Sequence, residues 1–366
     1  MWGFNSPLAH TPSPTGTLVA MRPARKVRDL TGPGLTDRFG VGGTDLGATV
    51  AAPDGRLVSV FGDTFESAGV GGPGWRSPVV LFADPDSVAT GLRWTGSAGP
   101  DEYAYQVVDY THHGYRRVGR GVFAWRQVST VLPTDVITIG DDVWLHVMAC
   151  RGLGNVRATE LHRSRDSGVS WDPADCRWPG NHLGGLFQML TWELDAAGEW
   201  VYALSTGFQR AHGLLLQRVR AERIADPTAW EGWGWDGATW GWGRPPTLVL
   251  PGAFGEMSLR RVPDAAGREW WLLVVFDAGN YRMDAYLLEH PTANLHVAPR
   301  ATLVHGSGWD DEDHDAGRVA QLYGGYTLPG STLEELHVVV SQWNTGTNWP
   351  YRSMQFRADV SELVPR

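Results

Sequence analysis

The most constraining feature of this 366-residue sequence is one β-hairpin pattern that recurs five times. Each copy opens with small or polar residues, continues as a short strand, and turns before an apolar second strand. Each turn contains Gly, and four of the five also contain Asp, residues that adopt the positive φ angles of tight hairpins at little cost. The five copies occupy residues 43–65, 133–150, 187–207, 255–277 and 322–343.

A further strand candidate follows each hairpin, for example at residues 158–173 and 281–291, and helical periodicity is nowhere sustained. Repeated antiparallel units of three or four strands are typical of β-propellers, in which each unit forms one blade. The sequence therefore predicts an all-β, single-domain, five-bladed β-propeller over residues 37–366. Residues 1–36 are expected to pack on this propeller or to complete its last blade. A two-sheet sandwich would not predict the same hairpin five times.

Tryptophan and glycine are unusually abundant, with 19 and 46 residues respectively. Tryptophan at this density fills the space between packed sheets or forms platforms for sugar rings. Residues 164–171, SRDSGVSW, fit the Asp-box pattern of propeller turns, which we interpret as structural. Residues 230–243 form the richest Gly/Trp segment, which is either a glycan platform at the rim or a plug between blades.

Several classes of protein are disfavoured by composition. The net charge of −9 argues against a nucleic-acid partner, because phosphate binding requires a basic surface. No apolar run approaches the roughly 20 residues needed to cross a bilayer. The first residues lack the pattern of a secretory signal, which leaves the localisation open. Cys150, Cys176 and the acidic run at residues 308–317 match no metal-site spacing, so neither metal nor cofactor is predicted.

In a propeller the first strand of each blade lines the central channel, so the residues that open these strands converge at one face. Those residues are Asp45, Asp135, Gln188, Glu256 and Tyr323. Asp63 ends the apolar strand of the first hairpin and is expected nearby. Carboxylates that share a partly desolvated pocket repel one another, which separates their pKa values as glycosidic hydrolysis requires. Calcium binding and turn capping stay open as alternatives for these acids.

Aromatic and polar side chains near the same face suit a sugar ligand. The candidate substrate-binding residues are Trp75, Arg76, Gln188, Tyr323, Tyr326, Trp343 and Asn344. For any single tryptophan the alternative is packing between blades.

The motifs GTDLG, FGDTF, GWRS, PTD, FQM, GE, LYGGY and SQW occur in this order within residues 42–343. The ordered set resembles the DUF4185 family of actinobacterial and phage proteins, grouped with the endo-D-arabinanases of glycoside hydrolase family 183. The resemblance implies a five-bladed propeller that cleaves internal α-1,5-linked D-arabinofuranose bonds in mycobacterial-type arabinogalactan and lipoarabinomannan. It also implies an inverting mechanism, with Asp45 and Asp63 as the leading catalytic pair. Asp135 and Glu256 follow as acid, pKa modulator or hydroxyl ligand.

The expected partner is cell-wall D-arabinan, and the expected state is a monomer. Three other functions compete with this interpretation. A non-catalytic sugar-binding propeller would keep the aromatic residues without needing the acids. A sialidase, as an example of a hydrolase for another glycan, would need an arginine cluster and a tyrosine nucleophile. A protein-interaction propeller would have no reason to collect Asp45, Asp135 and Glu256.

Overall fold

The computed structural model describes residues 18–110 and 128–365, and between these ranges the backbone of Arg117–Val118 and Gly121–Val122. Strands and turns dominate these residues, which confirms the all-β class. No helix within the described residues is long and apolar enough to cross a membrane. Their helical segments are short 3-10 turns at Asp37–Phe39, Pro85–Thr90, Pro100–Glu102, His182–Gly185, Ala221–Arg223, Trp309–Asp311, His314–Ala316 and Ser361–Leu363.

Two four-stranded antiparallel sheets come first along the chain, after an initial strand β1 (Arg25–Asp29). The first sheet contains β2 (Leu46–Ala51), β3 (Leu57–Phe61), β4 (Val79–Ala83) and β5 (Trp94–Ser97). A ribbon of β6 (Arg117–Val118) and β7 (Gly121–Val122) precedes the second sheet. The second sheet contains β8 (Thr130–Ile139), β9 (Asp142–Cys150), β10 (Val156–Ser164) and β11 (Asp172–Pro179).

The next two strand groups are joined into one ten-stranded sheet, because β17 pairs with both β14 and β18. The first group contains β12 (Met189–Leu194), β13 (Trp200–Thr206), β14 (His212–Arg220), β15 (Glu231–Trp235) and β16 (Trp240–Trp242). The second group contains β17 (Leu250–Pro263), β18 (Glu269–Asp277), β19 (Arg282–Leu288), β20 (Arg300–Ser307) and β21 (Arg318–Ala320).

The last sheet combines strands from both ends of the described chain. It contains β22 (Leu322–Thr327), β23 (Leu336–Trp343) and β24 (Tyr351–Ala358), with β1 paired antiparallel to β24. The backbone hydrogen bonds of this pairing tie residues 25–29 to residues 354–357. A sheet shared in this way holds the beginning and the end of the described chain together.

All five predicted hairpins are present as antiparallel pairs, namely β2–β3, β8–β9, β12–β13, β17–β18 and β22–β23. The first strands of these hairpins pack against one another in a closed ring, in the order β2, β8, β12, β17, β22 and back to β2. The ends of all five strands line one cavity, with Ala51, Thr138, Glu193, Val262 and Thr327 among its residues. The beginnings of the strands therefore lie toward the opposite mouth of the ring.

Apolar strands pack between neighbouring sheets and make the core. Strand β3 is buried along its whole length, as expected for a strand covered on both faces. The Asp-box turn packs on the first sheet, where a Cβ at Gly168 would lie 2.8 Å from a methyl group of Val58. Ser164 Oγ accepts a 2.8 Å hydrogen bond from Gly168 N, and Trp171 is buried beneath the turn. These contacts agree with the structural interpretation of this motif.

Candidate active site

Asp45 stands at the beginning of β2, at the mouth of the ring where the strands begin. Its Oδ2 accepts a 2.8 Å hydrogen bond from the Tyr323 hydroxyl, and the Tyr351 hydroxyl also donates to this carboxyl group. Its Oδ1 is buried and accepts no hydrogen bond from the described residues. This oxygen lies against the backbone of Gly62, where a Cβ would approach it to 2.3 Å. Glycine at position 62 is therefore needed for Asp45 to take this position.

The environment of Asp45 favours its protonated form. The pKa of Asp45 is raised to about 7, chiefly by desolvation and then by the negative charge of Asp63. Hydrogen bonds from Tyr323 and Tyr351 act in the opposite direction, and Glu256 adds a smaller upward contribution to this pKa. A carboxyl group with a pKa near 7 carries a proton on about half of the molecules at neutral pH. Asp45 can therefore donate a proton there.

Asp63 follows β3 by two residues and is half-buried. Its Oδ1 accepts hydrogen bonds from Thr130 Oγ1 at 2.7 Å and from Trp75 Nε1 at 3.0 Å. Thr130 begins β8, so this contact joins the first and second sheets. Two donors on one oxygen fix the rotation of the carboxylate. The apolar strand β3 thus leads into an acid that is oriented by its neighbours.

Glu256 in β17 supplies the third carboxyl group of this mouth and is only 6% exposed. Its Oε1 forms an ion pair with Arg210 Nη2. Arg210 comes from the connection between β13 and β14, and its guanidinium carbon lies 5.1 Å from the centroid of the Tyr323 ring. Residues of the third, fourth and fifth hairpin units therefore meet beside Asp45.

Sequence reasoning missed Arg210 and Tyr351. Tyr351 opens the strand candidate after the fifth hairpin, and Arg210 lies in a turn beyond the second strand of the third hairpin. Strand ends and connections at the same end of neighbouring sheets lie close together in such a fold. A search of all the strand ends and connections that face this mouth would therefore have found both residues.

Asp135 lies in a buried ion pair, an environment unlike that of Asp45 and Asp63. Asp135 is fully buried in β8. Arg260 donates to both of its oxygens, at 2.5 and 2.9 Å, and Thr191 Oγ1 donates to Oδ2 at 2.7 Å. Backbone amides of Val136 and Trp192 complete the set. A carboxylate with these donors and no exposure is not available to a substrate, so we leave Asp135 out of the proposed machinery.

Three predicted substrate-binding residues form hydrogen bonds to the backbone. Arg76 is buried, and its guanidinium donates to the carbonyl oxygens of Ala104 at 2.5 Å and Gly40 at 2.8 Å. Gln188 bridges Gly180 O and Phe208 N, and Asn344 Oδ1 accepts from the amides of the turn that follows it. These hydrogen bonds to the main chain hold the neighbouring loops in place.

The predicted aromatic residues lie closer to the carboxyl groups. Trp75 stacks on Phe65, with ring centroids 6.4 Å apart, while its Nε1 reaches Asp63. Trp343 makes an edge contact with Tyr351, with centroids 5.9 Å apart. Tyr326 is buried in β22, and burial followed by the charge of Glu256 raises its pKa well above the ordinary value. Trp75 thus contacts the catalytic candidate Asp63 directly, whereas Trp343 contacts Tyr351, which donates to Asp45.

The Gly/Trp segment forms the ribbon β15–β16, which pairs with the edge of β14. Register pairs Trp233 with Trp242 and Trp235 with Trp240, so all four rings project from one face. The inner pair packs against the core around Trp271, as a plug would. The outer pair is exposed, Trp235 by 46% and Trp240 by 39%. A platform function for the outer pair stays a prediction.

Carboxyl groups, tyrosine hydroxyls and one arginine thus meet at one mouth of a ring of antiparallel sheets, an arrangement suited to proton transfer on a polar ligand. The family model of DUF4185, a domain of unknown function, matches residues 31–357. The chain belongs to this family.

Relatives with curated sequences cover most of the chain. An uncharacterized 35.9 kDa protein of Mycolicibacterium smegmatis is 31% identical over 349 residues, which span 90% of this chain and 96% of that protein. The notoamide biosynthesis cluster protein J' of Aspergillus versicolor is 30% identical over 323 residues, which span 84% of this chain and 83% of that protein.

Solved structures share the fold at low sequence identity. A "putative hydrolase" from Bacteroides ovatus aligns with a TM-score of 0.60 at 14% identity, covering 88% of this chain and 87% of that one. The exo-β-1,3-galactanase of Phanerochaete chrysosporium aligns with a TM-score of 0.50 at 9% identity, covering 88% and 66%. At these identities the likeness concerns the fold alone.

Proposed function

We propose that this chain is a five-bladed β-propeller of the glycoside hydrolase family 183 type. In this proposal it cleaves internal α-1,5-D-arabinofuranosyl linkages in the D-arabinan of mycobacterial-type arabinogalactan and lipoarabinomannan. The ring of five first strands supports the propeller. The ordered motifs in residues 42–343 support D-arabinan as the substrate. A fold shared with a galactanase agrees with glycan hydrolysis.

The raised pKa of Asp45, beside an oriented Asp63, is the observation that carries this proposal. Protonated Asp45 donates its proton to the glycosidic oxygen as the bond to the anomeric carbon breaks. Asp63 removes a proton from a water molecule, whose oxygen bonds to the anomeric carbon from the opposite face. The products are a hemiacetal of inverted configuration and a free hydroxyl group. Inverting enzymes hold such carboxyl groups roughly 6.5–9.5 Å apart to admit the water.

The hydrogen bonds around Asp45 fit the role of a general acid. Tyr323 occupies Oδ2, whereas Oδ1 receives no hydrogen bond from the described residues and is the oxygen that can carry the proton. The proposed active form is a monomer. Residues 37–366 form the catalytic propeller in this proposal, and β1 of the preceding segment completes the last blade.

A panel of polysaccharides tests the proposal. The protein is incubated with D-arabinan, with β-1,3-galactan and with a sialylated glycan, and the products are separated by chromatography. Arabino-oligosaccharides of several lengths are expected from D-arabinan only, and NMR of the first products should show the inverted anomer. Products from another glycan would make the chain a different hydrolase. Binding to D-arabinan without products would make it a non-catalytic module.

A further inference from the structure

Two polar atoms of the Arg210–Glu256 pair point to a ligand. Glu256 Oε2 and Arg210 Nε are buried, and neither has a hydrogen-bond partner among the described residues. Glu256 is only 6% exposed, so its second oxygen is largely shielded from bulk water. Burying an acceptor and a donor without partners is unfavourable, and native proteins rarely do so without a functional reason.

The pair lies beside the proposed acid. The Arg210 guanidinium packs over the ring of Tyr323, whose hydroxyl donates to Asp45. A Cβ at position 255 would lie 3.0 Å from Arg210 Cγ, so Gly255 makes room for this side chain. Arg210 itself has a φ of +56°, in the left-handed region that non-glycine residues rarely occupy. Such strain is often found where a functional side chain must take one position.

An ion pair with a buried unpaired donor, Arg210 Nε, and a buried unpaired acceptor, Glu256 Oε2, matches a pair of neighbouring hydroxyl groups. One hydroxyl donates to the carboxylate, and the next accepts from the guanidinium, whose planar shape fixes the direction of its N–H groups. An internal α-1,5-linked arabinofuranose ring has two free hydroxyls, on the adjacent carbons C2 and C3.

We propose that Glu256 and Arg210 form a diol-binding subsite for the sugar ring next to the cleaved bond. Glu256 Oε2 accepts a hydrogen bond from one ring hydroxyl, and Arg210 Nε donates to the adjacent one. The subsite rests on the proposed function and adds to it a determinant of sugar specificity. Because the ion pair holds both groups in fixed positions, rings with a different arrangement of hydroxyls would lose one of the two hydrogen bonds.

The test compares α-1,5-D-arabinofuranosyl oligosaccharides with analogues that lack the C2 or the C3 hydroxyl. Wild-type kcat/KM should fall about 10- to 100-fold on each analogue, because a buried polar group then loses its partner. Arg210→Met and Glu256→Gln should lower kcat/KM on the full substrate by a similar factor. Each variant should also lose most of its discrimination against one analogue, as expected for groups that interact directly.

Arg218→Met provides the matched control, because Arg218 pairs with Glu231 at the edge of the ribbon. This variant should retain wild-type discrimination. Arg210→Lys keeps the charge but not the planar fork, and it replaces Arg210→Met if that variant does not fold. If folded Arg210 and Glu256 variants discriminate against the analogues as strongly as the wild type does, the subsite is overturned and the proposed function stays intact. Absence of hydrolysis by the wild type would overturn the proposed function and the subsite together.

Discussion

The Tyr323 hydroxyl donates a 2.8 Å hydrogen bond to Asp45 Oδ2 and joins two residues that are 278 positions apart. This contact connects the first strand of the last sheet to the entry of the first sheet. The hydrogen bond stabilises the ionised carboxylate, whereas burial and the charge of Asp63 stabilise the protonated form. The balance raises the pKa of Asp45 to about 7.

This balance predicts the alkaline limb of the pH–rate profile. If Asp45 is the general acid, kcat is highest while Asp45 is protonated and falls as pH rises through about 7. Tyr323→Phe removes a hydrogen bond that lowers this pKa, so the limb should move to higher pH. Initial rates on D-arabinan between pH 4 and 9 measure the shift. A limb that stays in place, or moves to lower pH, would contradict the acid assignment.

Trp75→Phe separates the orientation of Asp63 from stacking on a sugar. The substitution keeps an aromatic ring against Phe65 but removes the Nε1 donor to Asp63. We expect kcat to fall about 10-fold with little change in KM, because a mispositioned base affects the transition state. Thr130→Val, which removes the other described donor to this oxygen, should have the same signature. A rise in KM alone would assign Trp75 to substrate binding instead.

Gly62→Ala tests the close approach of Asp45 to the backbone. The added Cβ would lie 2.3 Å from Asp45 Oδ1, so the carboxyl group must move. A displacement of about 1 Å can cost on the order of 100-fold in rate, which is the expected loss of kcat. Gly96→Ala is the control, since its nearest neighbour would be 3.8 Å away. Wild-type kcat in folded Gly62→Ala would show that the position of Asp45 is not critical.

The Asp135–Arg260 pair should contribute to stability rather than to catalysis. Asp135→Asn leaves Arg260 buried beside a neutral group, which should lower the free energy of unfolding by about 3–5 kcal/mol. Glu289→Gln breaks an exposed pair with Arg268 and should cost less than about 1 kcal/mol. Denaturant unfolding measures both changes. Loss of activity in an Asp135→Asn protein of unchanged stability would return Asp135 to the active site.

The repeating hairpins could be predicted from sequence because turn residues and apolar strands are local signals. The five pairs from β2–β3 to β22–β23 all follow them. The pairing of β1 with β24 could not be specified, because a short strand of mixed polarity does not reveal its partner.

For the acids, the position within a repeat does not predict which groups surround the side chain. Asp45 and Asp135 each follow a threonine in similar hairpin openings. Of these two acids, only Asp135 forms an ion pair with an arginine among the described residues. Arg260 is 125 residues away along the chain, and no local pattern reveals that contact. Arg76 likewise looks like a ligand for a sugar until the carbonyl groups around it are known.

The most direct test of the central claim compares the wild type with Asp45→Asn on mycobacterial arabinogalactan. Circular dichroism first establishes that the variant is folded, and the soluble products are then separated by chromatography. The wild type should release a ladder of arabino-oligosaccharides, and the variant should lose at least about 100-fold in rate, as expected for a missing general acid. Equal ladders would exclude Asp45 as the acid. No products from either protein would contradict the assignment as a D-arabinan hydrolase.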